Sequence, residues 1–137
     1  MEHDVILLRD ERGRLLPIQI GVCEAAAIWV RLAPDEIVPY PRRPSSHDLI
    51  HAMLERLGAQ LDRVVIDSFV KETYYATLHL NYREQELLVD ARPSDAIALV
   101  LRMPAPIFVD SEVMDENSIH PEPGDESDDS EFWGDLP

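Results

Sequence analysis

Apolar and polar residues alternate from Tyr74 to Tyr82, which is the period of a strand with one face in a core. Strand-like segments lie on either side, at residues 61–68 and 86–91, and short turns join the three. This pattern predicts an antiparallel meander. Two more segments, residues 5–9 and 15–20, flank a turn at Gly13 and predict a hairpin near the start of the chain.

Helical segments interrupt these strands. Residues 22–32 are Ala-rich and nearly apolar, which predicts a helix buried on most sides. Residues 45–57 predict an amphipathic helix that ends at Gly58, and a third runs over 93–103. The signals for the second helix are a Ser/Asp capping-box spacing and four apolar residues at helical spacing: Ser45, Asp48, Ile50, Met53, Leu54 and Leu57. With a short strand at 107–109 and a last helical turn at 111–116, the sequence predicts one α+β domain, a mixed, largely antiparallel sheet packed by about three helices.

The charge is strongly acidic and uneven. The 137 residues carry a formal charge of −15, and residues 121–137 hold seven acids and no base. Twenty acids and 12 bases, a charge of −8, remain on residues 1–120. We therefore expect a folded domain at 1–118 and a disordered acidic tail at 119–137. A body this acidic lacks the basic footprint of a passive nucleic-acid binder, so any phosphate chemistry must use local arginines, helix N-termini or a bound cation.

Cysteine content and hydropathy bear on the compartment. Cys23 is the only cysteine, which excludes an internal disulfide and a cysteine-cluster zinc site. The longest nearly apolar stretch, residues 22–32, is too short to cross a bilayer, and the first four residues lack the basic region of a signal peptide. These features predict a cytoplasmic protein without a membrane partner.

Two helix starts share an arginine, a hydroxyl and a carboxylate: Arg43, Ser45 and Asp48 at one, and Arg92, Ser94 and Asp95 at the other. A helix N-terminus attracts anions, so each is a candidate phosphate site. Helix capping with a local Arg–Asp pair explains either start alone. The anion interpretation predicts that both meet in one cleft.

Other polar residues leave alternatives open. His47 and His51 have the four-residue spacing of a zinc-protease helix, but no third ligand is evident and coincidence is favoured. Glu24, the lone charge of its apolar segment, is a desolvated general base or a first-turn acid favoured by the helix dipole. Asp90 at a strand end is a functional carboxylate or a salt-bridge partner of Arg92, and we interpret His79 and buried Cys23 as structural.

The segment DARPSDAIAL at residues 90–99 resembles the bifunctional nuclease family, described as cleaving both DNA and RNA. LPIQIG at 16–21 followed by EAAAI at 24–28, RPSSHDL at 43–49 and APIFV at 105–109 also resemble that family, in its order along the chain. The family usually has another strand before the first hairpin, and only four residues precede Val5. That edge is absent or supplied by a partner chain, so we expect a homodimer or higher homo-oligomer.

The resemblance implies a nuclease acting on phosphodiesters of DNA and RNA. Asp48, Asp90, Asp95 or Glu24 would hold a divalent cation such as Mg²⁺ or orient water. His47 would act as acid or base, and Arg92 and Arg43, with Ser45 and Ser94, would bind phosphate. The alternative is a non-catalytic module that binds a phosphorylated ligand or a protein. The acidic tail would either compete for the arginines or only aid solubility.

Overall fold

A computed structural model of the chain describes residues 4–32 and 45–120. It shows a single α+β domain, which confirms the predicted fold class. Arg43 and the segment after His120, including most of the predicted tail, lie outside the described residues. The elements in chain order are β1 Asp4–Arg9, β2 Leu15–Ile20, α1 Val22–Leu32, α2 Ser46–Leu57, β3 Gln60–Val70, β4 Thr73–Tyr82, β5 Gln85–Ala91, α3 Pro93–Val100, β6 Ile107–Val109 and α4 Ser111–Asn117.

The strands form two sheets. The main sheet has the order β5-β4-β3-β6, in which β6 is parallel to β3 and the other pairs are antiparallel. Its two hairpins turn at Lys71–Glu72 and Arg83–Glu84, and all four of these residues have positive φ. Paired positive φ values fit the right-handed twist of strands joined by a two-residue turn, although residues other than glycine rarely adopt them.

The alternation predicted for β4 is confirmed. Ala76, Leu78 and Leu80 are buried, while Tyr75 on the opposite face is exposed. The separate hairpin of β1 and β2 adds Leu16 to the same core. The hairpin is also held by an ion pair between Arg14 and Asp115 of α4 and by a β-bridge between Leu15 and Ile119.

The central helix is α3, which contacts α1, α2, β3 and β4. Seven of its eight residues are buried, and the exception is Asp95. Pro93 occupies the first helical position, as its sequence predicts. The helix stops at Val100, earlier than the predicted residue 103, and a turn through Leu101 follows.

One expectation for the outer helices is wrong. In α1, only Ala27 and Ile28 are buried, and Cys23 is exposed, because this helix packs mainly on α3 and leaves its other side to solvent. In α2, the capping box of Ser45 and the left-handed Gly58 are confirmed, but no residue is buried. Leu54 packs against the core, but most of the apolar side chains face away from the body: Leu49, Ile50, Met53 and Leu57 are 58%, 43%, 56% and 61% exposed.

Candidate active site

The first turns of α1, α2 and α3 meet at one surface of the domain. Glu24 is the third residue of α1, Asp48 the third of α2, and Asp95 the third of α3. A hydrogen bond between His47 and Asp95 and the ion pairs of Arg92 join these turns to one another. The positive dipole ends of the three helices therefore converge where the carboxylates lie.

Asp95 and His47 form the centre of the cluster. The Nε2 atom of His47 lies 2.9 Å from Oδ1 of Asp95. Burial alone would raise the pKa of Asp95, but hydrogen bonds from His47 and Arg92 and the charge of Arg92 outweigh it and lower the pKa below 3.8. Because an ionised carboxylate only accepts hydrogen bonds, Nε2 of the histidine is the donor. The neutral ring then has Nδ1 as its proton acceptor.

Arg92 connects this pair to α1. Its Nε donates to Oδ2 of Asp95 at 3.0 Å, and Nη2 lies 2.8 Å from Oε1 of Glu24. Hydrogen bonds to Asp95 and then Glu24 raise the pKa of Arg92. The side chain is nevertheless 66% exposed, while that of Glu24 is 17% exposed. A guanidinium has five N–H donors, so this one retains donors for a ligand at the surface.

A second cluster, next to His47, centres on an arginine that the sequence analysis missed. The Arg102 side chain is only 1% exposed, and its Nε donates to Oδ1 of Asp48. Burial alone would raise the pKa of Asp48, but hydrogen bonds from Ser45 and Arg102 outweigh burial and lower the pKa from 3.8 to about 2. One signal was available, because Arg102 is the only charged residue between residues 96 and 109. A charge in so apolar a segment requires a buried partner.

The remaining candidates divide between the two clusters and the rest of the surface. Ser45 caps α2 and belongs to the Arg102 cluster, and Ser94 is buried in the first turn of α3. Asp90 lies on the exposed end of β5, opposite Thr77, and Arg92 pairs with Glu24 and Asp95 instead. The two helix starts do meet through His47 and Asp95, although Arg43 itself is outside the described residues.

The carboxylates of this site are a poor fit for a divalent cation. Glu24 and Asp95 are both paired with Arg92, and Asp48 is paired with Arg102. Across residues 4–32 and 45–120, no group of three or more His, Cys, Asp or Glu side chains has an arrangement that could hold a metal ion. His51, the other residue of the zinc-like spacing, lies 3.1 Å from Glu55 of its own helix. The residues that the structure describes therefore do not fit a metal ion at this site.

This small α+β domain thus has an oriented histidine beside an exposed arginine at the meeting point of three helix N-termini, where the helix dipoles attract anions. Residues 5–122 match the bifunctional nuclease domain. The chain therefore belongs to the bifunctional nuclease domain family. No helix in the part of the chain that the structure describes is long and apolar enough to span a bilayer.

The curated relatives include one uncharacterized protein and two plant proteins that carry the family's name. An uncharacterized protein of Mycobacterium tuberculosis is 41% identical over 111 residues, which cover 80% of this chain and 63% of the relative. Bifunctional nuclease 1 of Oryza sativa is 31% identical over 85% of this chain and 36% of its own length. Bifunctional nuclease 2 of Arabidopsis thaliana is 29% identical over 78% of this chain and 33% of its own length. The chain thus spans less than two thirds of each of these relatives.

Proposed function

We propose that this protein is a nuclease that hydrolyses phosphodiester bonds of DNA and RNA, with His47 as the group that moves the proton. Family membership and the printed names of the plant relatives support the reaction class. The observation that carries the proposal is the hydrogen bond between His47 and Asp95, with Arg92 on the same carboxylate.

The proposed step is attack of water on phosphorus. Because Asp95 holds Nε2–H of His47, Nδ1 is the atom that accepts a proton from the attacking water. The imidazolium that forms is stabilised by the same carboxylate and releases its proton to solvent, and a water molecule protonates the leaving oxygen on the opposite side of the phosphorus. This role requires only a fixed ring orientation and an ionised Asp95, and the lowered pKa of Asp95 keeps it ionised near neutral pH.

Arg92 is the proposed phosphate ligand. Two of its donors hold Asp95 and Glu24, and the others lie on a side chain that is 66% exposed. Charge-assisted hydrogen bonds to the non-bridging oxygens strengthen as charge develops in the transition state. Glu24 would orient the guanidinium instead of acting as the base. Since residues 1–120 carry a charge of −8, affinity for nucleic acid depends on this local contact, and added salt should weaken it.

Paired substitutions on one helix test the proposal. His47→Gln should lower the rate of cleavage of a short oligonucleotide by about 10²- to 10⁴-fold, the usual contribution of general acid–base catalysis. His51→Gln is the matched control, because His51 lies one turn further along α2 and bonds to Glu55. Both variants should be purified in the same way, so that a contaminating nuclease appears equally in each. Equal rates for the two variants would contradict the role of His47.

The rival function is a non-catalytic module that binds an anion or a protein. The extensive pairing of the site carboxylates favours it, because paired carboxylates organise a surface without reacting. Oligonucleotide binding that Arg92→Ala abolishes, with no cleavage by the wild type, would support this module and contradict the nuclease.

Three expectations about the whole protein stay predictions. A requirement for Mg²⁺ is tested by cleavage with and without EDTA, and a cytoplasmic location by cell fractionation. The expectation of self-association rests on β1, which is an edge strand of the two-stranded sheet and carries Val5, 48% exposed. A dimeric mass by sedimentation at micromolar concentration would support it, and a monomeric mass would contradict it.

A further inference from the structure

Arg102 joins three helices from inside the domain. Its Nη1 donates to the carbonyl oxygen of Ala98 at 2.8 Å, within α3. Its Nη2 lies 3.3 Å from the carbonyl oxygen of Ala27 in α1 and 3.3 Å from Oγ of Ser45, the N-cap of α2. With the bond from Nε to Asp48, the guanidinium contacts both capping residues of α2, on either side of His47 in sequence.

Apolar packing holds α2 only weakly. The helix buries no residue, and only Leu54 on its inner side is packed against the core cluster. A helix rotates by about 100° per residue, so its orientation about its own axis decides which side chain faces a neighbour. Here His47 and Asp48 face the body, while Leu49 and Met53 face away from it. Hydrophobic burial alone would favour a rotation that turns Leu49 and Met53 toward the body.

We propose that Arg102 is a positioning residue for His47, which fixes the rotation of α2 so that Nε2 of the histidine meets Asp95. The inference rests on the proposed function only for its effect on cleavage. The anchor is rigid, since a buried guanidinium that bridges a carboxylate, a hydroxyl and two carbonyl groups cannot move without leaving donors unpaired. Lysine cannot replace it, because a single ammonium does not span these acceptors.

The variants are Arg102→Met, Arg102→Lys and the control Arg31→Ala. The control is closely matched, because Nη2 of Arg31 lies 3.4 Å from the same Oδ1 of Asp48. The side chain of Arg31, however, is 42% exposed. Circular dichroism of the full chain should first show that each variant is folded. If Arg102→Met does not fold, Arg102→Lys, which keeps the charge and most of the volume, carries the test.

Two readouts separate positioning from stability and from the proposed function. The first is the tautomer of neutral His47, followed by ¹⁵N NMR of the imidazole. The wild type and Arg31→Ala should show Nε2–H, and both Arg102 variants should shift toward a mixture because the ring leaves Asp95. The second is oligonucleotide cleavage, in which the Arg102 variants should lose about 100-fold in kcat with little change in KM, the cost of a misplacement of about 1 Å.

The outcomes are distinguishable. A folded Arg102→Lys that keeps the wild-type tautomer and kcat overturns the positioning role, whatever the wild-type activity is. A shifted tautomer in a protein whose wild type does not cleave supports positioning and contradicts the nuclease. An equal effect of Arg31→Ala would also overturn the proposal, since the anchor would then be the charge around Asp48 and not the buried guanidinium.

Discussion

The helices α2 and α3 begin with similar sequences and have opposite roles. In α2 the motif precedes the helix, with Ser45 as the N-cap, whereas in α3 Arg92 is the N-cap and Pro93 and Ser94 are already helical. Because α3 packs against α1, α2, β3 and β4, it has seven buried residues out of eight, whereas α2 has none. Burial therefore stabilises α3 more than α2, while α2 presents His47 and is held mainly by polar contacts.

This contrast has a consequence for the chemistry. Asp95, the one residue of α3 that is not buried, lies on the most firmly packed helix of the domain and receives bonds from His47 and Arg92. The carboxylate is thus a fixed point, and the groups that it orients come from less constrained positions. A site built in this way is precise only as long as those groups are anchored in turn.

The largest expected effect is on stability, from the same substitution in both helices. Leu99→Ala in α3 should lower the free energy of unfolding by about 2–5 kcal/mol, because Leu99 is 3% exposed and truncation leaves a cavity. Leu57→Ala in α2 should change it by about 0.5 kcal/mol or less, because that side chain is 61% exposed. Urea denaturation measures both. Similar losses would show that α2 is packed as firmly as α3.

The second expected effect is on activity, at the exposed end of the buried helix. Arg92→Lys should reduce cleavage by about tenfold or more, since lysine keeps the charge but loses the fork that holds Asp95 and Glu24. The free energy of unfolding should change by less than about 1 kcal/mol, because exposed ion pairs contribute little. Steady-state kinetics and urea denaturation test the two parts. Unchanged kinetics would make Arg92 a structural residue of α3.

The third expected effect is on the pH dependence of stability, and it comes from the ion pair between Asp48 and Arg102. Asp48 has a pKa of about 2 in the folded protein and an ordinary value of 3.8. A depressed carboxyl pKa stabilises the folded state above the ordinary pKa, and this stability is lost as pH falls through the folded value. Asp48→Asn should therefore remove about 2 kcal/mol of pH-dependent stability.

Chemical denaturation at a series of pH values provides the measurement. The difference in unfolding free energy between wild type and Asp48→Asn should be full above about pH 4 and should shrink toward about pH 2. A difference that stays constant over this range would mean that the ion pair between Asp48 and Arg102 does not stabilise the folded protein.

The smallest expected effect on activity comes from the glycine before α1. A Cβ atom on Gly21 would collide with the carboxylate of Glu24, the flexible end of a side chain that can move aside. Gly21→Ala should therefore change the free energy of unfolding by less than about 1 kcal/mol but turn Glu24 away from Arg92, and activity should fall less than in Arg92→Lys. Gly13→Ala is the inverse control: its φ of 78° makes alanine strained, so stability falls while activity stays. Full activity of Gly21→Ala would show that Glu24 does not orient the arginine.

Local sequence determined much of the molecule. The alternation of β4, the capping box of Ser45, the left-handed Gly58 and the proline at the start of α3 were all predictable, because each depends on residues within about one turn or one strand of one another. The family segments also point to the helix starts that carry His47 and Asp95. These signals identified both helix starts as candidate sites.

Only the tertiary structure decided which side of α2 faces the body and which groups meet there. His47 and Asp95 are 48 residues apart in sequence, and Asp48 and Arg102 are 54 apart. The apolar period of α2 predicts a helix but not its neighbour, and here polar contacts set its rotation against the apolar stripe. For the same reason Arg92 pairs with Glu24 and Asp95 and not with Asp90. An ion pair depends on distance in space, and these groups come close only after the helices have packed around α3.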